Sequence, residues 1–177
     1  MIRRDVKKLK ALTHYVCWKC ENPAILGATK LNKALWVSDL WWYVRTGAPI
    51  TGETYVKRQY GPVPSSILTI LGDLEREGAI VTRERRYDGF NKRDFIALTE
   101  PDISMFTPEE ISVIDKAIDF VCHRHTAKSI SRRTHDDIWK IAEIGEEIPY
   151  HAMLASVLGE VMPEDVDWAR RLEEVAA

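Results

Sequence analysis

Three groups of side chains carry the types and spacing that chemistry would need. Cys17 and Cys20 set two thiols one helical turn apart, and Cys122-His123-Arg124-His125 adds a third thiol and two imidazoles. Two thiolates at that spacing can share a zinc ion, but a closed zinc site takes four ligands. The second group lacks the paired spacing of a zinc motif and serves only if the fold brings it beside the first. A redox role for the Cys-x-x-Cys pair wants a βαβ context, which is missing, and buried thiols also act as small apolar fillers. Thr134-His135-Asp136-Asp137 sets an imidazole against a carboxylate, as a general base requires, yet it reads equally as a loop-to-helix junction with acids favoured by the helix dipole. Neither a Gly-x-Ser-x-Gly turn nor a phosphate-binding glycine loop accompanies it. The sequence therefore predicts no catalytic residue, no metal and no cofactor, and a protein that is not an enzyme.

The aromatic residues are the larger surplus. Trp36, Trp41, Trp42 and Tyr43 crowd into one short stretch, and three consecutive helical positions span about 200° of the helix surface. They cannot all face one core, so either later helices cover a second side or one ring anchors a protein partner, where Trp and Tyr concentrate. Trp36, Trp41, Trp42, Tyr55 and Tyr60 are the candidate partner-binding residues. A second surface is basic: Arg83, Arg85, Arg86, Lys92 and Arg93 lie on two alternating segments that follow a helix and a Gly stop, the order of a winged-helix unit. In a DNA reader such a helix enters the major groove and the wing tracks phosphate. Here the helix carries Asp73, Glu75 and Glu77 against Arg76 alone, which disfavours groove reading.

The 177 residues suit one domain, and 45% hydrophobic with 29% charged side chains excludes a disordered or collagen-like chain. No apolar run approaches the roughly 20 residues that cross a bilayer. The basic start lacks the apolar segment of a signal peptide, and three cysteines do not form a complete disulfide set; a reducing cytoplasm is the expected compartment. The net charge of −2 hides a gradient, from +6 over residues 1–33 to −7 over residues 141–177. Such ends engage partners or each other.

The periodicity predicts the elements that must position these groups. Val6, Leu9, Leu12 and Val16 mark a helix over residues 4–20, closed by Asn22-Pro23. A second helix runs from an N-cap at Thr29 to Gly47, apolar on so much of its circumference that it is central to the fold. Leu31, Leu35, Ser38 or Asp39, and Trp42 mark one of its faces. A short strand is expected over 54–59, then a helix with Pro64 in its first turn and a stripe of Ile67, Leu68, Ile70, Leu71 and Leu74, ending at Gly78. A hairpin over 80–85 and 93–98 follows. Thr107-Pro108-Glu109-Glu110 opens another helix with a capping box, and short helices are expected over 127–134, 136–144 and 150–158. An acidic terminal helix begins at Pro163 with Trp168, Leu172 and Val175.

Three blocks in this order carry a family resemblance: residues 29–36 with Lys30-Leu31-Asn32-Lys33, residues 47–55 with Ile50-Thr51-Gly52-Glu53, and Tyr60-Gly61-Pro62-Val63-Pro64. With Phe106 through Glu110, Thr134-His135 and the Ile141–Tyr150 stretch, the chain resembles the SocA-like antitoxin domain, also called Panacea, over about residues 5–158. The resemblance implies a non-enzymatic antitoxin of a bacterial or prophage toxin–antitoxin pair, neutralising a cognate toxin by protein contact. In some members the antitoxin hands the toxin to a protease complex. Relatives usually continue the second helix with a Leu-Tyr-Phe-Ala-like stretch, where this chain has residues 34–42, and some carry a separate DNA-binding domain for which there is no room here.

The expectation is thus a mainly α single domain over 1–158 with one small winged-helix-like β-hairpin, and an acidic helix over 159–177. Its partner is a toxin protein, with nucleic acid as the alternative and no membrane. The aromatic helix would supply affinity, and the acidic stretch from Glu160 to Glu174 would steer encounter with a basic surface.

Overall fold

A computed structural model of the chain describes residues 2–87, 90–133 and 142–152. His135-Asp136, the acidic stretch 159–177 and most of the helices expected over 136–144 and 150–158 lie outside the described residues; 142–144 form a bend and turn, and a helical turn begins at Tyr150.

Helix α1 (Val6–Lys19) starts where the Asp5 carboxylate accepts the Lys8 N–H at 2.9 Å, replacing a bond that the first turn lacks. Leu9, Leu12 and Val16 are fully buried as their spacing predicts, whereas Val6 in the first turn is exposed. Helix α2 (Ala28–Thr46) begins one residue before Thr29, so Gly27 is its N-cap and Thr29 lies inside the first turn. At its far end Gly47 adopts φ 78° and donates to the Tyr43 carbonyl, a left-handed stop that glycine takes without strain. Residues from Leu31 to Leu40 are buried almost without interruption, and α2 touches α1, α4, α5 and strands of both sheets. It is the central helix its composition predicts. Each of its fully buried leucines contributes about 1.5–3 kcal/mol relative to exposure.

Strand β1 (Tyr55–Arg58) pairs antiparallel with β2 (Gly61–Pro64). This corrects the expectation that Pro64 opens a helix. Pro62 and Pro64 lie opposite Lys57 and Tyr55, and those two residues spend their backbone groups on the other side: Lys57 N–H donates to Glu146 O, Gly145 N–H to Lys57 O and Ile148 N–H to Tyr55 O. A residue without an N–H fits a register position that asks for none, so a Gly-Pro-Val-Pro segment can complete a hairpin. Gly61, at φ 113°, makes the turn into β2.

Helix α3 (Ile67–Arg76) buries Ile67, Ile70, Leu71 and Leu74, while Leu68 is 72% exposed. It ends beside Gly78, and β3 (Ile80–Tyr87) and β4 (Phe90–Ala97) follow as an antiparallel hairpin, longer than expected at its tip end. Helix α4 (Pro108–Ile118) opens with the predicted capping box between Thr107 and Glu110. It runs into a π-helical turn (Asp119–His123), and α5 (Ala127–Arg133) follows.

The described residues combine helices with two small two-stranded antiparallel sheets. The fold class is therefore mixed α and β rather than mainly α with one hairpin. A single apolar cluster joins α1, α2, α3, α4 and the strands. No helix among the described residues is long and apolar enough to cross a membrane.

Candidate partner-binding face

Two buried carboxylates hold the first hairpin, Asp39 tying it to the central helix and Glu53 tying it to Arg4 and to the residues that open α3. Asp39 on α2 is fully buried, and it accepts the Thr51 N–H at 2.7 Å, the Thr51 hydroxyl at 2.5 Å and the Tyr55 hydroxyl at 2.9 Å. Burial pushes its carboxyl above the usual value, and these hydrogen bonds pull partly against it. Glu53, also fully buried, accepts the Ser65 and Ser66 hydroxyls at 2.7 Å each and pairs with Arg4 at 2.9 Å. The Tyr150 hydroxyl donates to the Glu53 carbonyl at 2.8 Å. Burial, then the Asp39 charge, raises the Tyr55 and Tyr150 phenols, so both stay protonated donors. The Ile50-Thr51-Gly52-Glu53-Thr54-Tyr55 block is thus a bracket whose alternate side chains tie a loop, a strand and a helix N-terminus to α2. Ser66 caps α3 by position, but its hydroxyl is spent on Glu53.

The bracket aims the hairpin tip. The Tyr60 carbonyl accepts the Ser131 hydroxyl of α5 at 3.0 Å, and the side chain is 59% exposed. Beside it a cavity of about 120 Å³ is lined by Ala28, Thr29, Asn32 and Lys33 of α2 and by Arg58, Tyr60, Pro62 and Val63 of the hairpin. Lys33 is buried, with its ammonium 5.8 Å from the Trp36 ring centre, and Lys30 donates to the Cys122 carbonyl at 2.8 Å.

The aromatic candidates divide. Trp36 and Tyr55 are core residues, 6% and 1% exposed, and offer no surface to a partner. Trp41 is half-buried against Phe120, ring centres 5.3 Å apart, and Tyr43 against Tyr150 at 5.4 Å. Trp42 is half-buried under the Arg45 guanidinium, 6.0 Å above its ring, next to exposed Val44. Consecutive α2 aromatics therefore face different neighbours, as the helical geometry requires. Tyr60 is the one candidate of the five that stands mainly in solvent.

A family model described as "Antitoxin SocA-like, Panacea domain" matches residues 31–140. The chain belongs to that family. No curated protein and no solved structure gives a significant match. The matched stretch of the Panacea domain is shorter than the 5–158 span of the sequence resemblance: α1 and the 145–148 segment bonded to β1 lie outside it. Two of the Panacea blocks, Lys30–Lys33 and Tyr60–Pro64, meet at the cavity beside Tyr60, and the third builds the bracket behind it.

The basic hairpin of this Panacea domain spends much of its charge internally. Asp94, buried, pairs with Lys92 at 2.8 Å and Arg85 at 3.2 Å; Lys92 also donates to the Ala24 carbonyl at 2.5 Å. Arg93 faces Glu84 at 3.4 Å. Arg83 and Arg86 are exposed. The three cysteines are free and buried, and among the described residues no group of three or more His, Cys, Asp or Glu is arranged to hold a metal ion. Asp39 and Glu53 were not among the sequence candidates. The signal was the placement of Asp39 on an apolar face of α2, where an acid is retained only with buried donors around it.

Proposed function

We propose that this chain is the antitoxin of a toxin–antitoxin pair and neutralises its toxin by direct contact through the face built around Tyr60. One observation supports this site above others: a large exposed aromatic, pinned at its backbone by Ser131, stands at the rim of a cavity made from two family blocks. A rigid aromatic beside a concave surface is the composition of an interface hot spot. Family membership supports a toxin as the partner.

Co-expression of the chain with the toxic protein encoded beside it tests the reading. Relief of growth arrest and a complex that survives purification support it; relief without a complex overturns the contact mechanism. Toxin half-life then separates two modes, an unchanged value for blocking and a shortened one for delivery to a protease. The rival reading, a winged-helix regulator using Arg83, Arg85, Arg86, Lys92 and Arg93, gains little from the hairpin, because three of the five cations already face carboxylates.

A further inference from the structure

We propose that the acidic segment 163–177 docks within its own chain on the basic start of α1, around Ile2, Arg3, Val6 and Lys7. That start is pinned to the bracket. The Asp5 N–H donates to the Thr51 carbonyl at 2.7 Å, the Arg3 carbonyl packs against Gly52, and Arg4 pairs with Glu53 at 2.9 Å. The same residues leave apolar surface open, with Ile2 45% and Val6 47% exposed. Their cations divide into two sets. Lys8 and Lys10 pair with Glu110 and Glu77, whereas Arg3 and Lys7, both exposed, have no ion pair among the described residues.

The place where the described chain ends decides what can reach this patch. The Tyr150 hydroxyl donates to the Glu53 carbonyl at 2.8 Å, and the carboxylate of the same Glu53 holds Arg4. Residues 142–152 therefore finish beside the basic start. Residues 153–162 reach about 15 Å as a helix and up to about 35 Å when extended. Glu53 alone separates Tyr150 from Arg4, so either reach is enough. A segment tethered there meets the patch at an effective concentration on the order of millimolar, which favours it over a free partner.

The sequence of the segment complements the patch. Residues 163–177 carry five acids against two arginines. Trp168, Leu172 and Val175 fall at helical spacing, and Glu164 and Asp165, four and three residues before Trp168, flank that stripe. Docked, the stripe covers Ile2 and Val6, while Glu164 and Asp165 meet Arg3 and Lys7. Asp167 and Glu174 fall about 100–120° round the same helical wheel from Trp168 and keep their charge in solvent. The oppositely charged ends of the sequence thus close on each other. Their contact sheathes the Asp5–Thr51 and Arg4–Glu53 bonds that steady the bracket behind Tyr60.

Zero-length carbodiimide coupling of the full chain at low ionic strength, followed by proteolysis and peptide mapping, tests the contact. Equal amounts of unlabelled and isotope-labelled chain are mixed first, so a link within one chain keeps a single isotope. The expected product joins Lys7 to Glu164 or Asp165 within one chain. Lys8–Glu110 and Lys10–Glu77 serve as internal controls, because those ion pairs are already in place. Control links with Lys7 unlinked, a Lys7 link that mixes isotopes, or segment acids joined to other lysines instead would each overturn the proposal. Val6→Asp keeps Lys7 but sets a like charge where the apolar stripe would rest. It should lose the Lys7 link and retain both controls, which also report that the variant is folded. A Lys7 link unchanged in that variant would overturn docking on this patch. Toxin is absent throughout, so the result is independent of the role given to the Tyr60 face.

Discussion

The Tyr55 hydroxyl donates to Oδ2 of Asp39 at 2.9 Å, joining the first hairpin strand to the middle of the central helix where both residues are buried. The same carboxylate holds both the N–H and the hydroxyl of Thr51. Glu53, two residues on, repeats the arrangement with Ser65, Ser66 and Arg4. Hairpin placement, and with it the exposure of Tyr60, depends on these two acids.

Asp39→Ala should therefore destabilise the fold by about 3–5 kcal/mol, since it strands several buried donors at once. Tyr55→Phe removes one donor and should cost about 1 kcal/mol. Urea unfolding of the two variants beside the wild type checks both values and their order.

The raised Asp39 carboxyl gives a pH signature of definite sign. The folded state binds this proton more tightly than the unfolded state, whose value lies near 3.8. Its favourable contribution is full below that value and is lost as pH rises through the folded one. Wild-type stability measured against Asp39→Asn should accordingly improve as pH falls from about 7 to about 4. A difference that declines over that interval would show the carboxyl to be shifted downward instead.

Core and surface aromatics should separate cleanly. Trp36→Ala empties a buried site and should cost about 3–5 kcal/mol, whereas Tyr60→Ala should leave the melting temperature within the scatter of a neutral surface change. Thermal melts of the two variants distinguish these roles before any partner is present.

The β3–β4 hairpin should not retard the protein's own upstream DNA in a gel shift at moderate salt, because Asp94 and Glu84 already hold Arg85, Lys92 and Arg93. Retardation that disappears in an Arg83→Ala/Arg86→Ala double variant would instead place a phosphate contact there.

Ending the chain after Met162 removes most of the acidic excess of the terminal stretch. If that charge steers the toxin, the shortened protein should associate more slowly at low salt, with its dissociation rate unchanged. Stopped-flow rates across a salt series measure this, and an identical salt slope for the two lengths would remove the steering role.

Much of the fold is legible in the sequence where local signals act alone. The Thr107–Glu110 capping box, the Gly47 stop and the Leu9-Leu12-Val16 stripe are local patterns, and the structure reproduces them. The Gly-Pro-Val-Pro strand is not legible this way. Proline is admitted there only because Tyr55 and Lys57 turn their backbone groups toward 145–148, a contact with residues far along the chain. The same holds for the face: Tyr60 and Tyr55 are the same residue type a few positions apart, and only the buried acid on α2 decides which one is interior. Asp39 itself was visible as an acid on an apolar face, but its donors come from a loop and a strand that periodicity cannot bring together.

Titration calorimetry of the purified chain with its purified toxin, run for the wild type and Tyr60→Ala, tests direct neutralisation through this face. The predicted result is a defined complex whose affinity falls at least about tenfold in the variant, as expected for an interface hot spot. Heat of binding that is absent for the wild type, or equal for both proteins, would contradict it.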